Sequence, residues 1–431
     1  MAAVRVSARA LVSSRLLVWG AAMGTIGLFG YGPVRTAFNP PGLTRGFGWL
    51  GNVLAAPAAR WDAAWFLVIA HNGYRPSLGV LTSSRTAFFP LYPLGIRAIA
   101  WLGTPPILGG VLLSLVALAF ALYGIHRLAM LELAAGGRAS LDPRRLSDAA
   151  RLAVLVTAFA PMAFYLSAVY SESLYLALSV GVFWCARSGR WAWVGVLGAL
   201  AAATRNTGVV LLVPAAMIYA YGPREGRPVD IVRRGRERLL PAYRLRRDAL
   251  WLVLIPMGIV AYCAYLGLSG GDALAPLHSQ GAWGRHFAGP YVGVWDGIKA
   301  AFDGSRQLLS FQRRHIYFAH TSGSPSVSAG HNVMLFAFLL AAVPALIGVV
   351  RRLPFAYLLY ILAALALPLS YPPSSQPLMS LPRFLVVLFP LSIWFGAWLA
   401  EHRRAQWPAL ILSALLMMSF AAQFATWHWV A

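Results

Sequence analysis

Within the apolar stretch 107–131, the segment from Ile107 to Gly124 runs for 18 residues without a charged side chain. That is close to the length a helix needs to cross the hydrocarbon core of a bilayer. Further apolar stretches fall at roughly 11–31, 150–168, 171–187, 249–269, 332–350, 353–371, 383–400 and 407–427. Spanning backbone in lipid must satisfy its own amides, so recurrent runs of this kind predict helices. Composition agrees, with 59% hydrophobic and 11% charged residues against about 25% charged in soluble domains. The chain reads as one all-α polytopic transmembrane bundle over residues 1–431, not as a series of soluble modules.

Charge then predicts the topology. A net charge of +23 in a soluble protein would point to nucleic acid. In a membrane protein basic residues crowd the cytoplasmic loops, and no nucleic-acid partner is expected. Lys299 is the single lysine among 36 basic residues, a compositional bias that makes the choice of Arg over Lys uninformative. Arg5, Arg9 and Arg15 precede LLVWGAAMGTIGLFGY as in a signal peptide, but no small-residue cleavage site follows closely, which predicts an uncleaved signal anchor. The stretch 190–221 is interrupted by the polar TRNTG, Thr204–Gly208. Two short spans meeting at Arg205–Asn206 keep Arg187, Arg190 and the basic segment 222–248 on one side. The stretch 86–103 contains Pro90, Pro93 and Arg97 and reads as an interfacial helix. The count is then about eleven spans, N-terminus inside and C-terminus outside. A first outer loop covers about 32–106, a basic cytoplasmic loop about 222–248 (Arg224, Arg227, Arg233 and Arg234 among others) and a second outer loop about 270–331. Cys185 and Cys263 lie in apolar runs and predict no disulfide framework.

Few acids face outside in this topology. Asp272, Asp296 and Asp303 lie in the polar second loop, where solvation accounts for them. Asp62 differs: it stands in RWDAAWFLVIAHNGY, between Trp61 and Trp65–Phe66, with His71 and Tyr74 following. An acid among large aromatics at a membrane face is costly and marks either a helix N-cap before AAWFLVIA or a working carboxylate. Glu172, in AVYSESLYLAL, poses the same choice between capping and function. Arg205 is expensive at its position unless paired with Glu172 or a phosphate. Arg383 is either a second such residue or a snorkelling anchor. His71, His278, His286, His315, His320 and His331 match no metal spacing, and no Gly-rich phosphate loop or hydrolase motif is present.

Three segments together resemble the PIG-V family, the GPI mannosyltransferase II family with its bacterial relatives, within the GT-C class of membrane glycosyltransferases. They are RWDAAWFLVIAHNGY with AFFPLYPLGIR, AVYSESLYLALS, and LGALAAATRNTGVVLL. LPRFLVVLFPL, Leu381–Leu391, is a looser match. The resemblance implies a GT-C bundle whose first outer loop carries the catalytic acid on membrane-surface helices. It also implies a polyprenyl-phosphate-mannose donor and inverting transfer to an acceptor hydroxyl at the extracytoplasmic face of the cell membrane. Carried onto this chain, the acid is Asp62. Many GT-C enzymes have a pair of acids here, whereas Trp61 occupies the neighbouring position. A second catalytic acid is therefore not expected, and a divalent metal is not indicated.

On this reading Asp62 is the general base. Arg205 and Arg383 clamp the leaving phosphate, and Glu172 positions Arg205 or binds sugar hydroxyls. Trp61, Trp65, His71, Tyr74 and Asn206 complete the substrate site, with Phe88, Phe89 and Tyr92 as further aromatic candidates. The acceptor stays open among glycolipid, lipoglycan and protein. The competing reading is a transporter or lipid flippase, favoured by the interrupted helix pair at Arg205–Asn206. A path open from both sides would support it.

Overall fold

Proline and glycine decide where the apolar runs become helices. The computed structural model describes residues 1–33, 38–40, 42–44, 48–74, 84–135, 142–224, 241–318 and 323–430. Most of the basic segment 222–248, including Arg227, Arg233 and Arg234, lies outside the described residues, as does His320. Among the described residues are seventeen α-helices and no strand. The first part contains α1 (Ala2–Phe29), α2 (Gly48–Ala55), α3 (Ala63–Asn72), α4 (Leu91–Ala100), α5 (Pro106–Ala135), α6 (Pro143–Ala158), α7 (Glu172–Arg187), α8 (Trp191–Thr204) and α9 (Leu212–Tyr221). The second contains α10 (Leu254–Gly270), α11 (Ala275–His278), α12 (Pro290–Leu309), α13 (Pro325–Arg352), α14 (Phe355–Leu369), α15 (Leu381–Leu385), α16 (Phe389–Glu401) and α17 (Arg403–Ala425). Five helices are long and apolar enough to cross a membrane: α1, α5, Arg247–Gly270, α13 and α17. The protein is thus an all-α polytopic membrane protein. The 10-residue α4 rises about 15 Å, half of what a span requires.

The structure departs from the expected spans in three places. The stretch 150–168 is helical only to Ala158, because Pro161 disfavours helix in the residue before it. Residues 159–171 continue as a mostly buried, irregular segment with one short 3-10 turn, Ala163–Leu166. Arg15 of α1, grouped by sequence with an N-terminal basic cluster, is buried and serves this break. It donates to the carbonyls of Ala158 (3.0 Å) and Ala163 (2.7 Å) and to Ser167 Oγ (2.7 Å), satisfying acceptors that a helix end leaves open. The stretch 383–400 is split into α15 and α16, with Pro390 at the start of the second. The segment 270–331 holds α12, 20 residues whose small-residue face (Gly293, Gly297, Ala300, Ala301, Gly304) packs on α13 and α14 while Tyr291, Trp295 and Phe302 stay exposed. The start of α6 follows sequence rules directly: Asp142 caps it, accepting from the amides of Arg144 (3.0 Å) and Arg145 (2.9 Å), with Pro143 next.

Small residues let the helices approach closely, as in lipid-embedded bundles. A Cβ on Gly258 of α10 would lie 2.0 Å from the Ala199 carbonyl oxygen of α8. A Cβ on Gly396 of α16 would lie 2.4 Å from the Ala153 amide of α6. The core between the helices is closed by stacked aromatics: Phe183 against Tyr357 (4.6 Å) and Tyr360 (5.4 Å), and Tyr360 against Phe389 (5.7 Å). At one end of this stack Glu132 of α5 pairs with Arg187 of α7 and accepts a 2.9 Å hydrogen bond from Tyr357. At the other end the bundle opens into a cavity.

Candidate active site

The cavity has a volume of about 590 Å³, within the range of small-ligand sites. Asp62 lines it, together with Arg205, Asn206, Arg285 and Arg383. Four separate breaks in helical structure deliver the central groups. Asp62 precedes α3, Glu172 opens α7, Arg205 sits between α8 and the 3-10 turn Asn206–Leu211, and Arg383 lies in the five-residue α15.

Asp62 occupies the N-cap position of α3, yet its carboxylate caps nothing there. Arg383 Nη1 donates to Asp62 Oδ2 at 2.8 Å, while Oδ1 receives no hydrogen bond among the described residues. Arg383 Nε donates to Glu172 Oε1, and Arg205 Nη1 lies 2.8 Å from that same oxygen. Asp62, Arg383, Glu172 and Arg205 therefore form one continuous charge chain. Glu172 is fully buried and Arg383 nearly so, so Arg383 does not snorkel and Glu172 does not cap. Tyr165 and Tyr170 hold the Arg383 guanidinium from the side, at 5.3 and 4.8 Å.

The backbone around the chain is tightly fixed. Trp61 has φ +54 and Ser380, the N-cap of α15, has φ +68. Left-handed conformations in non-glycine residues cost free energy and persist only where the surroundings impose them. For Trp61 the surroundings are Phe38 (5.4 Å), Trp427 (5.9 Å) and Trp429 (5.4 Å). Arg60, next in line, donates to the Ala425 carbonyl at 3.0 Å and stacks on Trp427 at 4.7 Å. Tyr170 donates to the Arg60 carbonyl at 3.0 Å. Asp62 is thus tied to the segment that precedes α7 and to the end of α17.

The sequence-derived residues separate by position. Asp62, Trp61, Arg205, Asn206 and Arg383 line the cavity, and Glu172 stands behind the two arginines. Trp65 is buried, stacked on Phe88 at 5.5 Å, and does not line the cavity. Tyr74 donates to the Phe88 carbonyl at 2.6 Å and packs on Tyr262, again outside the lining. His71 is exposed at the far end of α3. Phe88 and Phe89 line the cavity, whereas Tyr92 is buried and bonds Gly110 and Ser114. Among the lining residues that carried no sequence signal are Trp283 and Arg285 from the segment 270–331, and Trp429. Trp283 meets Trp65 (6.3 Å) and Phe88 (6.0 Å), so the segments 32–106 and 270–331 meet at the site. Among the described residues no group of three or more His, Cys, Asp or Glu gathers as metal ligands do.

Gly208 sets the position of Arg205. A Cβ there would sit 2.2 Å from the Ala201 carbonyl group of α8. Gly208→Ala is expected to displace the turn and destabilise the protein by about 1–3 kcal/mol, read as a lowered thermal midpoint in detergent.

Fold and site together define a polytopic membrane protein with an acid–arginine chain in a cavity at one end of the bundle. Residues 34–219 match the mannosyltransferase (PIG-V) family. It is 35% identical over 186 residues to GPI alpha-1,6-mannosyltransferase 2 of Rattus norvegicus, covering 40% of this chain and 34% of that protein. It is 33% identical over 165 residues to GPI alpha-1,6-mannosyltransferase 2 of Mus musculus, covering 36% and 30%. The chain thus spans about a third of the length of these curated relatives. No solved structure matches. The matched segment includes Asp62, Glu172, Arg205 and Asn206, but not Arg285 or Arg383.

Proposed function

We propose that the chain is a GT-C type membrane mannosyltransferase. It moves mannose from a polyprenyl-phosphate donor to an extracytoplasmic hydroxyl on a glycolipid, lipoglycan or protein, with inversion. The observation that carries this reading is the carboxylate of Asp62, inside the family-matched segment, lining the cavity with one oxygen held by Arg383 and the other unpartnered among the described residues. The acceptor oxygen attacks the anomeric carbon of mannose and its proton passes to Asp62. The bond from that carbon to the phosphate oxygen breaks, and the polyprenyl phosphate leaves with the bonding electrons. Arg383 holds the base in place, and positive charge at the site favours the leaving phosphate. Transport is the weaker reading, because the aromatic stack of Phe183, Tyr357, Tyr360 and Phe389 fills the bundle below the site.

The test is transfer from radiolabelled polyprenyl phosphate mannose to membrane acceptors by the purified protein in lipid. Label in the acceptor, with anomeric configuration opposite to that of the donor, is the expected result. Retained configuration, or transfer only from a soluble nucleotide sugar, would overturn it.

A further inference from the structure

The charge chain leaves no free cation for a phosphate. Arg383 is committed to Asp62 and Glu172, and Arg205 to Glu172. A third guanidinium lines the same cavity. Arg285 has a buried Nε without a hydrogen-bond partner and forms no ion pair among the described residues. It is also held in position. Its backbone bridges to Pro373, Ala288 donates to the Ser370 carbonyl at 2.9 Å, and Phe287 packs on Tyr371 at 5.6 Å. Burial pushes the Arg285 guanidinium down to about 10, with Asp62 and Arg383 close enough to act on it in opposite senses. It stays charged at neutral pH. A desolvated cation without a counter-charge is costly, and around this cavity three arginines face two carboxylates. The surplus is one positive charge, which a phosphodiester neutralises.

The lining of the same cavity includes apolar residues of two helices, Ile259 and Cys263 of α10 and Leu367 and Pro368 of α14. These helices do not pack substantially on each other; both lean on the turn Asn206–Leu211. The outer face of α10 is exposed at Val260, Tyr265 and Leu268.

We propose that Arg285 is the phosphate-binding residue for a lipid-linked donor, whose hydrocarbon chain leaves between α10 and α14, while Arg205 and Arg383 position the acids. This rests on the donor class proposed above and deepens it, assigning the phosphate to a loop outside the family-matched segment.

Binding tests it without requiring turnover. The protein in nanodiscs is titrated with a polyprenyl phosphate and with the polyprenol of the same length, with inorganic phosphate as competitor. Polyprenyl phosphate should bind at least about tenfold tighter than polyprenol. Arg285→Gln should remove that difference while leaving polyprenol binding unchanged and the thermal midpoint no lower. Arg285→Lys, which keeps the charge but loses the planar fork, should weaken phosphate binding several-fold. This second variant serves as the test if the first does not fold. Inorganic phosphate should compete only at far higher concentration, and equal competition would sink the lipid assignment. Unchanged discrimination in both variants would overturn the role of Arg285 alone. Absence of polyprenyl phosphate binding in wild type would remove this assignment and the donor class together. Binding that depends on Arg285 without mannose transfer would support the assignment and count against the acceptor step.

Discussion

Asp62→Asn is expected to leave the protein folded and to lower mannosyl transfer by about two to four orders of magnitude, the contribution of a positioned general base. Asparagine keeps the shape and still accepts a hydrogen bond from Arg383, but it takes up no proton at neutral pH. Asp62 is only partly buried, at 16% side-chain exposure, and Arg383 retains Glu172 in the variant. The stability cost is therefore small, about 1–2 kcal/mol for one weakened charge-assisted bond. The measurement is transfer of radiolabelled mannose at matched expression, alongside the thermal midpoint. Transfer within a few-fold of wild type would remove Asp62 from the chemistry. It would leave the carboxylate as a counter-ion of Arg383. Loss of transfer together with a collapsed midpoint would point to the same structural role.

The sequence made some of this site legible and concealed the rest for definable reasons. Asp62 stood out because a charge among aromatics is expensive, and Arg205 because it interrupts an apolar run. Each is a cost visible in a local window. Their partners are not local: Asp62 and Arg383 are 321 positions apart, and Glu172 and Arg383 are 211 apart. The helix break at Arg205–Asn206 followed from polar residues inside an apolar stretch. The breaks after Ala158 and before Phe389 were hidden because their flanking residues stay apolar, leaving Pro161 and Pro390 as the only signals. Helix α12 escapes a search for apolar runs, since Asp296, Lys299, Asp303 and Arg306 interrupt its sequence. Arg285 belongs to the least legible group. One arginine in a polar loop has no cost in sequence; its cost exists only once Pro373 and Trp283 surround it.

Glu172→Gln is expected to have a large effect on stability. The carboxylate is fully buried and holds two guanidiniums whose side chains are themselves 9% and 12% exposed. Removing its charge leaves Arg205 and Arg383 adjacent, with Asp62 as the one remaining acid in the chain. Breaking a buried pair from one side costs about 3–5 kcal/mol, because the stranded charge cannot return to water. The change should appear as a large drop in thermal midpoint in detergent. It should be partly reversed in the double variant Glu172→Gln/Arg205→Met, where one stranded cation is replaced by an apolar side chain able to pack on Tyr175 and Phe384. Glu132→Gln, at the opposite end of the bundle, breaks a comparably buried pair with Arg187 and is expected to destabilise by a similar amount. Only the Glu172 variant should also impair transfer in whatever fraction stays folded, because Glu172 sets the position of Arg383 and, through it, of Asp62. Equal loss of transfer in the folded fraction of both variants would mean that the charge chain supports the fold without positioning the base.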